Sequence, residues 1–214
     1  MPLVIPAWWP FRTKPGGETT PPPAAAPPVE AGPAPKTGAQ LEFDGARTIQ
    51  RYRDRDHGHP AIEEVQLCFA NRGEEGARVA TASGLRASLA VWQQGAVLVD
   101  QPAAQWIISP ADDMTATVAM ADTVDVEPDG PVVRLLIAYK WPGEKLAYVY
   151  AKDNETAPGS RPTLRALAPG DYDLTAKLMS DVAEDTFTFR FTNPGIVGRL
   201  SVAGPLRVVH RNVG

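Results

Sequence analysis

The chain has 214 residues, of which 43% are hydrophobic, and its formal net charge is -4. This length and apolar content suffice for a sizeable core, built either as one large sandwich or as two small domains. The acidic balance argues against nucleic-acid and acidic-lipid partners, because both require clustered Lys and Arg. Cys68 is the single cysteine, which excludes a scaffold of intrachain disulfides.

The start of the chain does not resemble a secretory signal. Residues 1–12 lack a basic segment, and their short apolar stretch is broken by prolines. No later stretch is apolar for long enough to span a bilayer as a helix. By default, these features predict a cytoplasmic protein without a transmembrane segment.

The composition changes sharply near residue 40. Residues 19–39 consist mostly of Pro, Ala, Gly and Thr, which predicts an extended, disordered linker. We therefore predict a disordered arm over residues 1–40 and a β-sandwich over residues 41–152. Residues 153–214 add further strands, as a second half-sandwich or as a continuation of the same core.

Three aromatic residues, Trp8, Trp9 and Phe11, lie at the tip of this arm. Exposed aromatic side chains commonly contact a partner surface, so a short docking motif on a tether is one interpretation. The alternative is that these side chains fold back onto the protein's own core.

Beyond residue 40, apolar and polar residues alternate with the period of β-strands, and turn signals separate the runs. Gln93-Gln94-Gly95 predicts one hairpin, and Trp141-Pro142-Gly143-Glu144 predicts a second hairpin with a type II turn. Other predicted strands contain Val65, Leu67 and Phe69; Trp106 to Ile108; Met114 to Met120; Tyr172 to Leu178; Phe187, Phe189 and Phe191; Leu200 to Val202; and Leu206 to Val209. The predicted fold class is all-β, an antiparallel sandwich.

One part of the chain carries a family resemblance. An apolar strand closes in Phe69-Ala70-Asn71-Arg72-Gly73, Ala77-Arg78-Val79 and a hairpin follow, and a late strand contains Leu135 to Tyr139. Residues 65–150 thereby resemble bacterial immunoglobulin-like β-sandwich domains of the cell-adhesion-related type. The chain departs from that pattern at Ser109 to Asp113, where a Pro-Gly turn is expected. The resemblance implies a non-catalytic module that presents loops or sheet faces to a partner.

Two polar segments contain candidate metal ligands. Asp54, Asp56, His57 and His59 combine carboxylates and imidazoles that suit zinc, although a solvated loop with local Arg–Asp pairs explains the same residues. Oxygen ligands for calcium are offered by Asp122, Asp125, Glu127 and Asp129. Their spacing does not match a calcium loop, which favours an exposed charged segment.

The remaining candidates have structural explanations. Cys68 lies in the middle of a predicted strand, which favours a core position over a nucleophile. Trp92, Trp106 and Trp141 form a sugar-stacking platform only if they share one exposed face; otherwise they fill the space between sheets. Asn154-Glu155-Thr156 matches a glycosylation pattern and marks a surface loop.

The sequence thus favours a non-enzymatic structural or protein-binding module without a cofactor, which binds another protein or a second copy of itself. The predicted partner-binding residues are Trp8, Trp9, Phe11 and Trp141. The alternative is an accessory domain of an enzyme system that binds carbohydrate or metal.

Overall fold

The computed structural model describes residues 39–52, 61–72, 79–108, 119–150 and 166–212. Within these ranges the chain forms thirteen β-strands and no helix, so the all-β prediction is confirmed. The same ranges contain no helix with the length and hydropathy needed to cross a membrane. The strands are β1 (Leu41–Tyr52), β2 (Ala61–Asn71), β3 (Ala82–Gln93), β4 (Ala96–Gln101), β5 (Gln105–Ile107), β6 (Met120–Ala121), β7 (Val124–Val126), β8 (Val133–Lys140), β9 (Ala147–Val149), β10 (Ala166–Leu167), β11 (Gly170–Met179), β12 (Ala183–Asn193) and β13 (Ser201–Asn212).

The strands form two antiparallel sheets, as predicted for a sandwich. The seven-stranded sheet has the order β1-β2-β8-β5-β6, with β9 also paired to β8 and β10 paired to β9. The six-stranded sheet has the order β13-β12-β11-β3-β4, with β7 also paired to β3. Because β11 pairs with β3, strands from after residue 153 share a sheet with strands from the first half of the chain.

Both predicted hairpins are present. Gln94 and Gly95 connect β3 to β4 with φ angles of 52° and 81°, the combination that a two-residue type I′ turn requires. Between β8 and β9, the Glu144 amide donates to the Trp141 carbonyl at 3.1 Å, and Gly143 has a φ of 75°. Pro142 and Gly143 therefore occupy the positions that a type II turn reserves for them.

The core between the sheets is aromatic. Phe69 of β2 and Phe187 of β12 come from different sheets, and their ring centroids lie 5.1 Å apart. Phe43 of β1 and Phe189 of β12 also come from different sheets, and their ring centroids lie 4.8 Å apart. Phe187, Phe189 and Phe191 are each at most 1% exposed, so the alternation predicted for this strand is confirmed. Such pairs add to the gain from burying apolar area.

One predicted boundary is wrong. The two short strands expected at Leu200 to Val202 and Leu206 to Val209 are one strand, β13, which pairs with β12 on both sides of a register shift. Gly204-Pro205 has the composition of a turn, but here these residues lie in a β-bulge against Phe189. Pairing with a long neighbouring strand has overridden the local turn signal.

Asp185 is a buried carboxylate at the edge of this core. Its side chain is 3% exposed, and one oxygen lies 2.8 Å from the His210 Nδ1 atom of β13. Burial raises the pKa of Asp185, although hydrogen bonds from His210 and from the Leu41 amide act in the opposite direction. A carboxyl group with a raised pKa in the folded state stabilises the protein most when it is protonated.

We therefore expect wild type to gain stability relative to Asp185→Asn as the pH falls from about 7 to about 4. The reason is that wild type loses the cost of a buried charge when Asp185 takes up a proton, whereas the variant carries no charge at this position at any pH in this range. Urea unfolding of both proteins across this range measures the difference. A difference that stays constant, or that shrinks at low pH, would contradict this account of Asp185.

Candidate functional site

The loop of residues 194–200 joins β12 to β13, and a buried asparagine holds its first end. Asn193 is 1% exposed. Its Nδ2 atom donates to the carbonyls of Lys145 and Leu167, each at 2.9 Å, and its Oδ1 atom accepts from the Gly195 amide at 3.0 Å. These contacts use both amide hydrogens and the carbonyl oxygen of the side chain, so the start of the loop is fixed.

Lys140, the last residue of β8, holds the middle of the loop. Its side chain is 5% exposed, and its Nζ atom donates to the carbonyls of Gly195 and Gly198, each at 3.1 Å. The same atom lies 3.4 Å from Glu63 Oε2 on β2. An ammonium group loses favourable hydration on burial, so it requires such a set of acceptors. The loop carbonyls supply two of the three.

The far end of the loop is fixed at Leu200. The Leu200 amide donates to Glu63 Oε1 at 2.6 Å, and the Leu200 carbonyl accepts from the Thr48 hydroxyl at 2.9 Å. Glu63 therefore binds both the lysine and the loop backbone. Lys140, Glu63 and Thr48 belong to the seven-stranded sheet, whereas the loop connects two strands of the other sheet. The loop thus ties the two sheets together.

Two glycines allow the chain to follow this path. Gly195 and Gly198 have φ angles of 83° and 97°, a region that other residues rarely adopt. A Cβ atom at Gly198 would also approach the Pro194 ring to 3.1 Å. The sequence Pro194-Gly195-Ile196-Val197-Gly198 therefore fits a tight loop with two side chains directed outward.

Those two side chains are the most unusual feature of the loop. Ile196 is 54% exposed and Val197 is 84% exposed, although both residues are apolar and β-branched. A mobile loop could turn such side chains inward, but the contacts of Asn193, Lys140 and Glu63 hold this backbone in place. Ile196 and Val197 are consequently presented to solvent in a fixed arrangement.

A small cavity lies beside Ile196. It has a volume of about 130 Å³ and is lined by residues of the loop, of β1, β2 and β8, and of the β8–β9 turn. The lining residues are Gln50, Glu63, Lys140, Trp141, Pro142, Gly143, Ile196 and Gly198. The volume is well below the roughly 300 Å³ at which ordinary small-molecule pockets begin, and it suits a single inserted side chain. We call Trp141, Pro142, Ile196, Val197 and this cavity the loop-end surface.

Of the residues predicted to bind a partner, Trp141 lies at this surface, half-buried in the cavity wall. Trp8, Trp9 and Phe11 lie outside the described residues. So do Asp54, Asp56, His57 and His59, the predicted metal ligands, and Asn154 of the glycosylation pattern. Sequence reasoning missed Ile196 and Val197. The available signal was an apolar pair enclosed by glycines, where a loop normally carries polar residues.

The three-tryptophan platform does not form. Trp106 is fully buried in the core, where its ring centroid lies 6.3 Å from that of Phe69. Trp92 lies in β3 of the six-stranded sheet, whereas Trp141 lies in the turn between β8 and β9 of the seven-stranded sheet, and both are half-buried. A sugar-stacking platform requires all three tryptophans to share one exposed face, but Trp106 lies in the aromatic core.

The other candidates have structural roles. Cys68 is 1% exposed, as predicted, and burial raises the pKa of its thiol, which disfavours the reactive thiolate. Asp125 accepts a hydrogen bond from the Gly84 amide at 2.7 Å, and Asp122 accepts one from Gln105. Within the described ranges, no three His, Cys, Asp or Glu side chains are grouped so as to hold a metal ion.

The buried contacts of Lys140 should be necessary for the loop conformation. Lys140→Met keeps the length of the side chain but leaves the Gly195 and Gly198 carbonyls without their donor, and we expect a loss of about 1–3 kcal/mol in the free energy of unfolding. Urea unfolding measures this loss. Hydrogen exchange of the amides in residues 195–200 should accelerate more than exchange in β11.

Glu63→Gln is the matched control, because a glutamine can still accept from the Leu200 amide. It should cost less than Lys140→Met. Equal stability of Lys140→Met and wild type, with unchanged exchange in the loop, would show that the lysine does not hold the loop.

Comparison of the chain with protein-family models, with curated proteins and with solved structures finds no match. The functional argument therefore depends on the geometry of the loop-end surface.

Proposed function

We propose that this chain is a non-enzymatic β-sandwich module that binds another protein through the loop-end surface. The observation that carries the proposal is the exposure of Ile196 and Val197, at 54% and 84%, on a backbone held by buried polar groups. Apolar side chains in this setting gain free energy when a partner covers them.

The rigidity of the loop supports binding for an entropic reason. Ordering a flexible loop on association costs free energy, and a loop that is already fixed avoids most of this cost. The β-branched side chains of Ile196 and Val197 are also restricted at χ1, so they lose little rotamer freedom. The surface is therefore organised before the partner arrives.

The cavity beside Ile196 gives the surface a second element. Binding energy at protein interfaces concentrates where a side chain of one partner fills a pocket of the other. At about 130 Å³, this cavity accepts one such side chain, with Trp141 and Pro142 in its wall. Trp141 is thereby proposed as the anchor residue on this side of the interface, as the sequence suggested.

The charged groups of the cavity favour binding over catalysis. Glu63 and Lys140 both line it, but Glu63 accepts from the Leu200 amide and Lys140 donates to two loop carbonyls. Both are committed to holding the loop. A sugar-binding role has less support, because Trp106 lies in the core and the cavity is too small for a ring system.

Three further predictions from the sequence belong to this proposal. The immunoglobulin-like assignment and a cytoplasmic location are proposed with it, on the sequence features that suggested them. Trp8, Trp9 and Phe11 remain a proposed second contact, reached through the proline-rich arm.

Capture from native extract with the full chain as bait tests the proposal. We expect Val197→Asp and Trp141→Ala to weaken capture of the bound protein at least tenfold, which corresponds to about 1.4 kcal/mol. Val97→Asp is the matched control, since Val97 is 47% exposed on β4, away from the loop. Quantitative mass spectrometry of the captured proteins is the readout, with far-UV circular dichroism to verify folding.

Equal capture by Val197→Asp, Trp141→Ala and Val97→Asp would refute a role for the loop-end surface. A variant with Trp8, Trp9 and Phe11 replaced by alanine separates the two proposed contacts. If this variant alone loses the partner, the arm is the docking element and the loop is not.

A further inference from the structure

β13 is the end strand of the six-stranded sheet. Among the described strands, β12 is its single pairing partner. In an antiparallel pair, alternate residues direct their N–H and C=O groups away from the neighbouring strand, so the outer side of β13 presents backbone groups that pair with no other strand in the described part of the chain. Residues 203–208 of this strand are all exposed.

The two halves of β13 differ in how well they are protected against pairing with another strand. Pairing with β12 is interrupted between residues 203 and 207, where Gly204 and Pro205 form the bulge. Bulges and prolines are the devices by which proteins protect an edge strand, and Pro205 has no N–H to donate. The second half, Leu206–Asn212, contains no proline and exposes Leu206 at 59% and Val208 at 38%. We call this second half the open edge.

The open edge is basic in an acidic protein. Residues 193–214 contain three arginines and one histidine but no Asp or Glu, whereas the whole chain has a net charge of -4. Arg207 and Arg211 share one face of the strand and stand about 13 Å apart, since a strand rises roughly 3.3 Å per residue. Arg207 has no ion-pair partner within the described residues, and Arg211 is 72% exposed with only a 3.7 Å contact to Glu184.

This charge distribution argues against a second copy of the same strand. Antiparallel self-pairing centred on Val209 would place Arg207 opposite Arg211, and like charges directly opposite each other destabilise a strand pair. A partner strand with carboxylates opposite Arg207 and Arg211 would instead be attracted to β13.

We propose that the open edge binds an extended, acidic segment of a partner polypeptide, which adds to the sheet as an antiparallel strand. Its backbone pairs with the outward N–H and C=O groups of residues 206–212. Carboxylates four residues apart lie opposite Arg207 and Arg211, and apolar residues at the alternate positions cover Leu206 and Val208. Backbone pairing supplies affinity and the alternate side chains supply selectivity. This edge is separate from the loop-end surface, and the inference does not depend on it.

A synthetic peptide tests the proposal directly. The peptide Thr-Glu-Val-Thr-Val-Glu-Val-Thr places two glutamates four residues apart with valines on the other face, and a matched peptide carries lysine in place of both glutamates. Fluorescence anisotropy with the full chain should show binding of the acidic peptide at least tenfold tighter than binding of the lysine peptide. N-methylation of alternate residues of the acidic peptide should abolish binding in one of the two possible registers, because it removes the N–H groups that pair with β13.

Substitutions in the chain locate the site. The double variant Arg207→Glu, Arg211→Glu should lose the acidic peptide and gain affinity for the lysine peptide. Arg86→Glu, at an exposed position of β3, should leave both affinities unchanged. Equal affinity for the two peptides, indifference to N-methylation in both registers, or no effect of the double variant would overturn the proposal. Sedimentation velocity gives a further test. If wild type self-associated with rising concentration and the double variant did not, the proposal would also be overturned, because the strand on the open edge would then be a second copy of this chain.

Discussion

A buried ammonium group at the end of β8 determines how one end of the sandwich is built. Lys140 is 5% exposed, and burial of its charge is tolerable only with acceptors on every side. The carbonyls of Gly195 and Gly198 and the carboxylate of Glu63 meet that requirement. They do so only if the loop of residues 194–200 folds back over the lysine. The same path leaves Ile196 and Val197 directed into solvent, so the exposure of these two residues follows from the burial of the charge.

This arrangement also connects the two sheets by polar contacts. The aromatic core holds the sheets together through pairs such as Phe69 with Phe187, which are strong but not directional enough to fix a loop. Asn193, Lys140 and Glu63 add directional bonds at one end of the sandwich, where β12 turns into β13. The open edge begins after the bulge in the same strand. One continuous segment of the chain, residues 194–212, therefore contributes to both proposed contact surfaces, and Trp141 and Pro142 complete the loop-end surface.

Much of the fold could be predicted from sequence, because its signals are local. Gln94-Gly95 and Pro142-Gly143 specify their turns through backbone geometry, and the alternation of Phe187, Phe189 and Phe191 specifies the buried face of β12. The sequence predicts two strands where β13 lies because Gly204-Pro205 resembles a turn, and pairing with β12 across the bulge has no local signal. The site was only partly predictable. Trp141 was identified by its turn, but Lys140 ends an apolar run like any surface lysine, and its acceptors lie 55 and 58 residues further along the chain.

The central claim is that the loop is rigid while its tip is exposed, and backbone ¹⁵N relaxation tests it most directly. Order parameters at the Ile196 and Val197 amides should be about 0.85, the value of a rigid backbone such as the neighbouring strand β12. Values below about 0.6 at these amides would show that the loop is flexible on the picosecond to nanosecond timescale. The contacts of Lys140 and Asn193 would then fail to organise the loop-end surface, and the account would be contradicted.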